Sequence, residues 1–190
     1  MCGGCARRSG PPVSFIPLGL MTAVVIRDAL PQDAAASVAL RKAIFGETDF
    51  LLYAPDEYVT TPDEFSAQLE RIATSEYSRS LLAEIDGVPV GLLGAVGSSI
   101  PRLRHAAGVF IGVLRSYWGK GVGSALLAEA LAWAPSAGIS RLELFVMKDN
   151  VRAIALYEHL GFRVEGTRRR AYIINGQPVD DLLMAYVYEA

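Results

Sequence analysis

A chain of 190 residues is long enough for one ordinary domain with a full core, and 52% hydrophobic against 20% charged residues excludes a disordered or fibrous class. A formal net charge of -2 offers no concentrated basic excess, so no nucleic-acid partner is expected. No stretch reaches the roughly 20 consecutive apolar residues of a membrane span, so no membrane partner is expected either.

The first 20 residues read as a loose extension ahead of a single domain over residues 21–190, with Met21 opening the folded part. Arg7 and Arg8 precede a short apolar run, but Pro11, Pro12 and Pro17 break it, which is a poor signal peptide. Cys2 and Cys5 form a CxxC with no second pair, and the two histidines, His105 and His159, are distant in sequence; a zinc site needs more ligands, so no metal is expected. No cysteine follows Cys5, so the core does not depend on disulfides, which suits a reducing cytoplasm.

The β-branched "AVVIRDA" from Ala23 to Ala29 predicts a strand, and "LPQDAAASVALRKAIFGE" after it has the apolar spacing of a helix. "TDFLLYAPDEYV" has no clean period and predicts an irregular loop. A second helix follows, with Thr61 placed to cap it, Pro62 at its first position and Glu64 at capping-box spacing. "SLLAEIDGVPVGLLGAVGS" is two apolar runs about Asp86-Gly87, a hairpin turn pair. "HAAGVFIGVL" predicts another strand, in which Gly108 and Gly112 fit a bulge or a close approach by other backbone. Beyond the helix that starts near Gly121, Gly138 is a helix stop and "RLELFVM" alternates as a strand does. A short helix from Asn150 to Leu160 ends at Gly161, and the last strands fold about Asn175-Gly176, with Arg168, Arg169 and Arg170 expected on a solvated strand end. The class is mixed α/β, with helices on both sides of the strands.

The segment "RSYWGKGVGSALLAEALAWA" passes from a glycine-rich turn straight into a helix. The first turn of a helix leaves amides unpaired at the positive end of its dipole, and Gly119, Gly121 and Gly123 carry no Cβ to obstruct an anion, while Ser124 adds a hydroxyl. The expected ligand group is a phosphate or diphosphate. Neither a GxxxxGK loop nor a GxGxxG fingerprint fits the GxGxG spacing. A turn that only lets helix and strand pack closely is the alternative.

With "WGKGVG" and, further on, "NVRAIALYEHLGFRVEGTRRRAYIINGQPVDDLLMAY", the chain resembles the GNAT superfamily of N-acetyltransferases, in the branch of ribosomal-protein-alanine and amino-acid acetyltransferases. Gly121 and Gly123 match the family's diphosphate signature, Trp118 stands where Arg or Gln is usual, and Asn150, Ala153, Tyr157, Gly161 and Phe162 fall at the family's spacing. The resemblance implies a mostly antiparallel central sheet with a splayed strand pair. It implies acetyl-coenzyme A as donor and a small amine, an amino acid or a protein N-terminus as acceptor, joined without an acetyl-enzyme. It places the coenzyme on Trp118, Gly119, Lys120, Gly121, Val122, Gly123, Ser124, Asn150, Ala153 and Tyr157.

Residues Val109 to Leu114 become the splayed strand, with Ile111 and Val113 offering main-chain groups to the pantetheine arm and the N–H of Val113 as oxyanion donor. Gly112 is expected to give a bulge there. The resemblance makes Tyr157 the acid for the leaving thiolate, although spacing alone equally allows a core tyrosine; Asn150 reads as a coenzyme contact and as a helix cap. The base is open among Glu47, Asp49, Glu84, Glu143 and His105, with Glu143 favoured; His159, two residues after Tyr157, is expected to face elsewhere. Asp49, Asp56 and Glu57 are candidates to attract a cationic amine. The C-terminal strands are a candidate surface for pairing two subunits, and a coenzyme-binding sensor without turnover is the alternative function.

Overall fold

The computed structural model describes residues 23–54 and 56–189; the extension expected over residues 1–20, with Cys2 and Cys5, lies outside them. Strand β1 (Val25–Asp28) leads through a short 3-10 turn into helix α1 (Ala34–Gly46), and an irregular segment connects α1 to helix α2 (Pro62–Ala73). A hairpin of β2 (Ser78–Ile85) and β3 (Val88–Gly97) precedes β4 (Ala106–Val113) and helix α3 (Val122–Trp133). Strand β5 (Arg141–Met147), helix α4 (Val151–His159), and a second hairpin of β6 (Arg163–Ile174) and β7 (Gln177–Val187) complete the fold.

The turn chemistry acts where the sequence places it. Asp86 and Gly87, then Asn175 and Gly176, all take positive φ, as a two-residue turn matched to strand twist requires. The hydroxyl oxygen of Thr61 accepts from the amide of Glu64 at 3.3 Å, and the Glu64 carboxylate accepts from the amide of Thr61 at 2.9 Å. This reciprocal bonding satisfies donors that the first turn of α2 otherwise leaves open.

Seven strands form one sheet in the order β1-β2-β3-β4-β5-β7-β6. Every neighbouring pair is antiparallel except β4 and β5, whose parallel pairing covers only Ala106↔Arg141, Ala107↔Leu142 and Gly108↔Glu143. Both faces of the sheet carry a core because successive side chains alternate sides. Leu81, Leu93, Leu142 and Met184 pack with Leu126 and Leu127 of α3 and Phe162 beyond α4, while Leu82 and Leu92 pack under Ile44 and Phe45 of α1 and Phe65 and Leu69 of α2. No described helix is long and apolar enough to cross a membrane.

Two local expectations need correction. The register of β3 with β4 runs unbroken from Gly91↔Val113 to Gly97↔Ala107, so Gly112 makes no bulge. A Cβ at Gly112 would instead lie 3.2 Å from Ile44, so this glycine lets α1 approach the strand. The arginine triplet is solvated but lies inside β6 and not at a strand end: the β6–β7 register shifts between Arg168 and Tyr172, Arg170 takes a φ of 54°, and the exposed Arg168 pairs with the buried Asp181 and lies over the ring of Phe145.

A Cβ at Gly97, the last residue of β3, would stand 2.3 Å from the carbonyl oxygen of Tyr77. Backbone does not yield as a flexible side chain does, so Gly97→Ala is expected to cost about 1–3 kcal/mol in urea unfolding. An unchanged midpoint would contradict the packing described.

Candidate active site

The end of β4 and the start of α3 are joined by a turn that fixes both. Leu114 donates its amide to the carbonyl of Val90 at 3.0 Å. Hydrogen bonding alternates along an antiparallel strand, so Gly112 and Phe110 also face β3 while the amides of Val109, Ile111 and Val113 face the side of β5. Since β4 and β5 stop pairing at Gly108↔Glu143, those amides look into a gap between strands. Trp118 closes the near end: its indole N–H donates to the carbonyl oxygen of Val113 at 2.7 Å. The N–H of Val113 is left to the gap.

Past Trp118 the chain turns through Gly119 and Gly121 at φ of 73° and 82°, a region that side-chain-bearing residues enter at a cost. Helix α3 makes its first bond from the amide of Ala125 to the carbonyl of Gly121, so the amides of Val122, Gly123 and Ser124 precede its internal ladder and project from its positive end. The cradle is smaller than the sequence suggests. The amides of Trp118 and Lys120 bond within the turn, to the carbonyls of Arg115 and Tyr117. Gly123 serves packing, since a Cβ there would stand 3.1 Å from Leu156 of α4.

Charge reinforces the cradle. The guanidinium of Arg152 lies 5.1 Å from the Trp118 ring centroid, and its Nη2 would be 3.3 Å from a Cβ on Gly119. The guanidinium of Arg115 also lies 5.9 Å from the Trp118 ring centroid, and the ammonium of Lys120 sits 5.0 Å from the ring of Tyr117. Among the described residues, none of these three cations has a carboxylate partner. Free amides at a helix N-terminus, glycine at φ positions that admit it, and unpaired cations beside them suit a diphosphate. The residues present therefore fit the phosphate end of a coenzyme A molecule.

The gap and the cradle belong to one cleft of about 590 Å³. Ile111, Val113, Trp118, Gly119, Gly121 and Val122 line it, as do Gly123, Ser124, Asn150, Ala153 and Tyr157. Lys120 does not; its side chain lies outside on Tyr117. Asn150 caps α4, its Oδ1 accepting from the amide of Ala153 at 3.2 Å. Two turns along that helix, Tyr157 is 7% exposed, its ring 5.9 Å from that of Phe162. Burial pushes its phenol well above the ordinary value, so the hydroxyl stays protonated through neutral and moderately alkaline pH.

None of the candidate bases lines this cleft, although Glu143 lines a smaller cavity that adjoins it. Glu143 lies outside the cleft lining, pairs with Gly108 and Ala185 in the sheet, and accepts from the Nε of Arg141 at 2.8 Å, Arg141 also holding Glu165. Glu84 is tied to Arg27 at 2.6 Å, and His105 is exposed at the opposite end of β4. Glu47 accepts from the amide of Arg115 at 2.6 Å, and Asp49 is exposed in the loop after α1. Of the acids proposed to attract an amine, Glu57 bonds the amide of Ala54, and Asp56 is exposed. His159, expected to face away, stands at the cleft margin. Arg152, Thr48, Leu51 and Phe145 are cleft residues that sequence reasoning missed. For Arg152 a signal existed, since a residue two beyond a helix cap lies in the first turn, beside the coenzyme-facing stripe.

Comparison with known proteins settles the family: the model of the Acetyltransferase (GNAT) family matches residues 49–162, which span the loop after α1 through α4. The chain belongs to the GNAT acetyltransferase family. This acetyltransferase is 33% identical over 168 residues to the L-amino acid N-acetyltransferase AaaT of Escherichia coli strain K12, covering 88% of this chain and 99% of that one. A GNAT acetyltransferase structure from Streptococcus pneumoniae shares 34% identity at a TM-score of 0.84, over 88% of this chain and all of that one. A Salmonella typhimurium structure, solved with its cofactor acetyl-CoA, has the same fold at a TM-score of 0.78 and 22% identity, over 88% of this chain and 95% of that one.

The acetyltransferase's cradle makes two demands that can be measured. Arg152→Ala is expected to weaken acetyl-coenzyme A about 10-fold, the scale of one charge-assisted bond, while leaving the melting temperature of the free protein in place. Gly121→Val is expected to weaken the same ligand and to lower stability by about 1–2 kcal/mol, because valine is forced into left-handed backbone. Unchanged affinity in both variants, read by calorimetry, would move the diphosphate elsewhere.

Proposed function

We propose that this protein transfers the acetyl group of acetyl-coenzyme A directly to a primary amine. The observation that carries the reading is the continuity of the cleft: unpaired strand amides in the gap lead to unpaired helix amides at the cradle, with Tyr157 on the same wall. The coenzyme supplies an already activated thioester, so no side-chain nucleophile is demanded. What the chain supplies is placement, charge stabilisation and a proton.

The amides of Val122, Gly123 and Ser124, with Arg152 beside them, hold the diphosphate. Main-chain groups of Ile111 and Val113 bond the amide groups of the pantetheine arm as a neighbouring strand does, which fixes the depth of the reacting carbonyl. The N–H of Val113 takes the charge that develops on the carbonyl oxygen as the amine attacks. Tyr157 protonates the leaving thiolate, and the proton that the attacking nitrogen gives up as the amide forms passes through water to restore the phenol; the hydroxyl suits that role because burial keeps the proton on it. A core without cysteine needs no oxidising compartment, which supports a cytoplasmic setting.

Acetyl-coenzyme A at 100 times its dissociation constant should add about 2.7 kcal/mol to folding stability, and an unchanged melting curve would contradict binding. Free-thiol release across an amine panel should exceed the rate without amine; binding with release at background would establish a sensor instead. Tyr157→Phe should cut kcat by about 10²-fold or more with coenzyme affinity unchanged. The raised phenol also sets a sign for pH: the acid is competent below its pKa and lost only above it, so kcat should show no alkaline fall from this group below about pH 10. Equal rates for parent and Tyr157→Phe would remove the tyrosine from the acid role.

A further inference from the structure

A second cavity, of about 280 Å³, lies on the α1–α2 face of the sheet. Val109, Phe110 and Phe145 line both it and the main cleft, so the two meet at the strand gap. Its walls are largely apolar, with Phe65 and Ile72 from α2 and Phe145 from β5; Gln68, Ser80 and Glu143 are its uncharged-polar and acidic residues, and one cation reaches into it. That cation is Arg41 of α1. Its guanidinium lies 4.8 Å from the Phe65 ring centroid and 5.1 Å from that of Phe110, which fixes it between α2 and the splayed strand.

Arg41 lacks what a charge at this depth ordinarily has. Among the described residues no carboxylate pairs with it, and its Nε is out of solvent without a hydrogen-bond partner. Glu143, the one acid on the cavity wall, is bonded to Arg141. Burial pulls the guanidinium below its ordinary pKa, with the phenols of Tyr58 and Tyr53 opposing the shift. A guanidinium donor shut from solvent and left without a partner is costly unless something supplies an acceptor, and the planar fork of the group matches a carboxylate.

Resting on the acetyltransferase reading above, we propose that Arg41 is the anchor for the carboxylate of the acceptor, and that the acceptor is a free α-amino acid with an apolar side chain. Held there by its carboxylate, such a molecule has its side chain beside Phe65 and Ile72 and its amine free to enter the gap at Val109 and Phe145. A polyamine offers Arg41 no anion. A protein N-terminus has its first carboxyl group in a peptide bond and leaves the cation unpaired.

The test compares L-leucine, L-phenylalanine and L-methionine with their carboxamides, which keep the amine and lose the charge. Two readouts are taken: kcat/KM by thiol release, and binding by calorimetry to the protein saturated with coenzyme A. The parent is expected to favour acids over amides about 100-fold in both, the scale of a charge-assisted fork. Arg41→Met, which keeps the length and apolar contact, should bring the acids down to the level of the amides and leave the amides where they were. Arg41→Lys should keep part of the preference. Amides or spermidine used as well as the acids by the parent, or equal losses for acids and amides in Arg41→Met, would overturn the anchor while leaving acetyl transfer intact. Acids bound in preference to amides with no turnover of either would uphold the anchor and fail the acetyltransferase reading. The parent comparison needs no variant, so it stands even where Arg41→Met melts early.

Discussion

Two parallel strands that pair for three residues and then separate leave a row of main-chain groups with nothing to bond. Strand β4 is held on its outer side by β3 as far as Val113, and β5 by β7 as far as Met147↔Asp181, so neither can swing back to close the gap. Such main-chain groups suit a ligand that presents amides of its own, which could bond them as a neighbouring strand does. Trp118 fixes the near edge through the carbonyl of Val113, and the close approach of α1 at Gly112 fixes the strand from below. The site is thus a defect in a sheet, stabilised from both sides.

The same strand leads through a short 3-10 turn at Arg115–Tyr117 into the cradle at the start of α3, which suits a ligand with an amide-bearing arm and a diphosphate. Eight residues, Leu114 to Gly121, separate Val113 from the first free amide of α3, at Val122. The glycines of that stretch have different physical tasks. Gly119 and Gly121 permit a backbone conformation, while Gly123 permits two helices to touch. Trp118, which departs from the usual arginine or glutamine of the family signature, replaces a side-chain charge with a strand clamp, and Arg115 and Arg152 stacked about its indole restore positive charge to the loop.

Much of this was legible in the sequence because the signals were local. The positive-φ turns at Asp86-Gly87 and Asn175-Gly176, the capping box at Thr61 and the helix cap at Asn150 each depend on residues a few positions apart, and each forms as expected. What the sequence hid depends on contacts between distant elements. Gly112 reads as a bulge until Ile44 of α1 is seen beside it, and the bond from Arg141 to Glu143 joins residues whose side chains share one face of β5. The arginine run is solvated as expected, but it lies inside β6 and not at its end, and the pairing of Arg168 with the fully buried Asp181, thirteen residues on, could not be read from the local pattern. Arg41 looked like any lysine- or arginine-bearing helix face, and only the enclosing rings of Phe65 and Phe110 make it distinctive.

The account therefore depends on where one diphosphate sits. A crystal structure of the full chain with coenzyme A decides it: the phosphate oxygens should lie about 3 Å from the amides of Val122, Gly123 and Ser124, the ordinary N–H···O separation, with the pantetheine arm bonded to β4 at Ile111 and Val113. A coenzyme seated away from the start of α3, with those amides facing solvent, would contradict it.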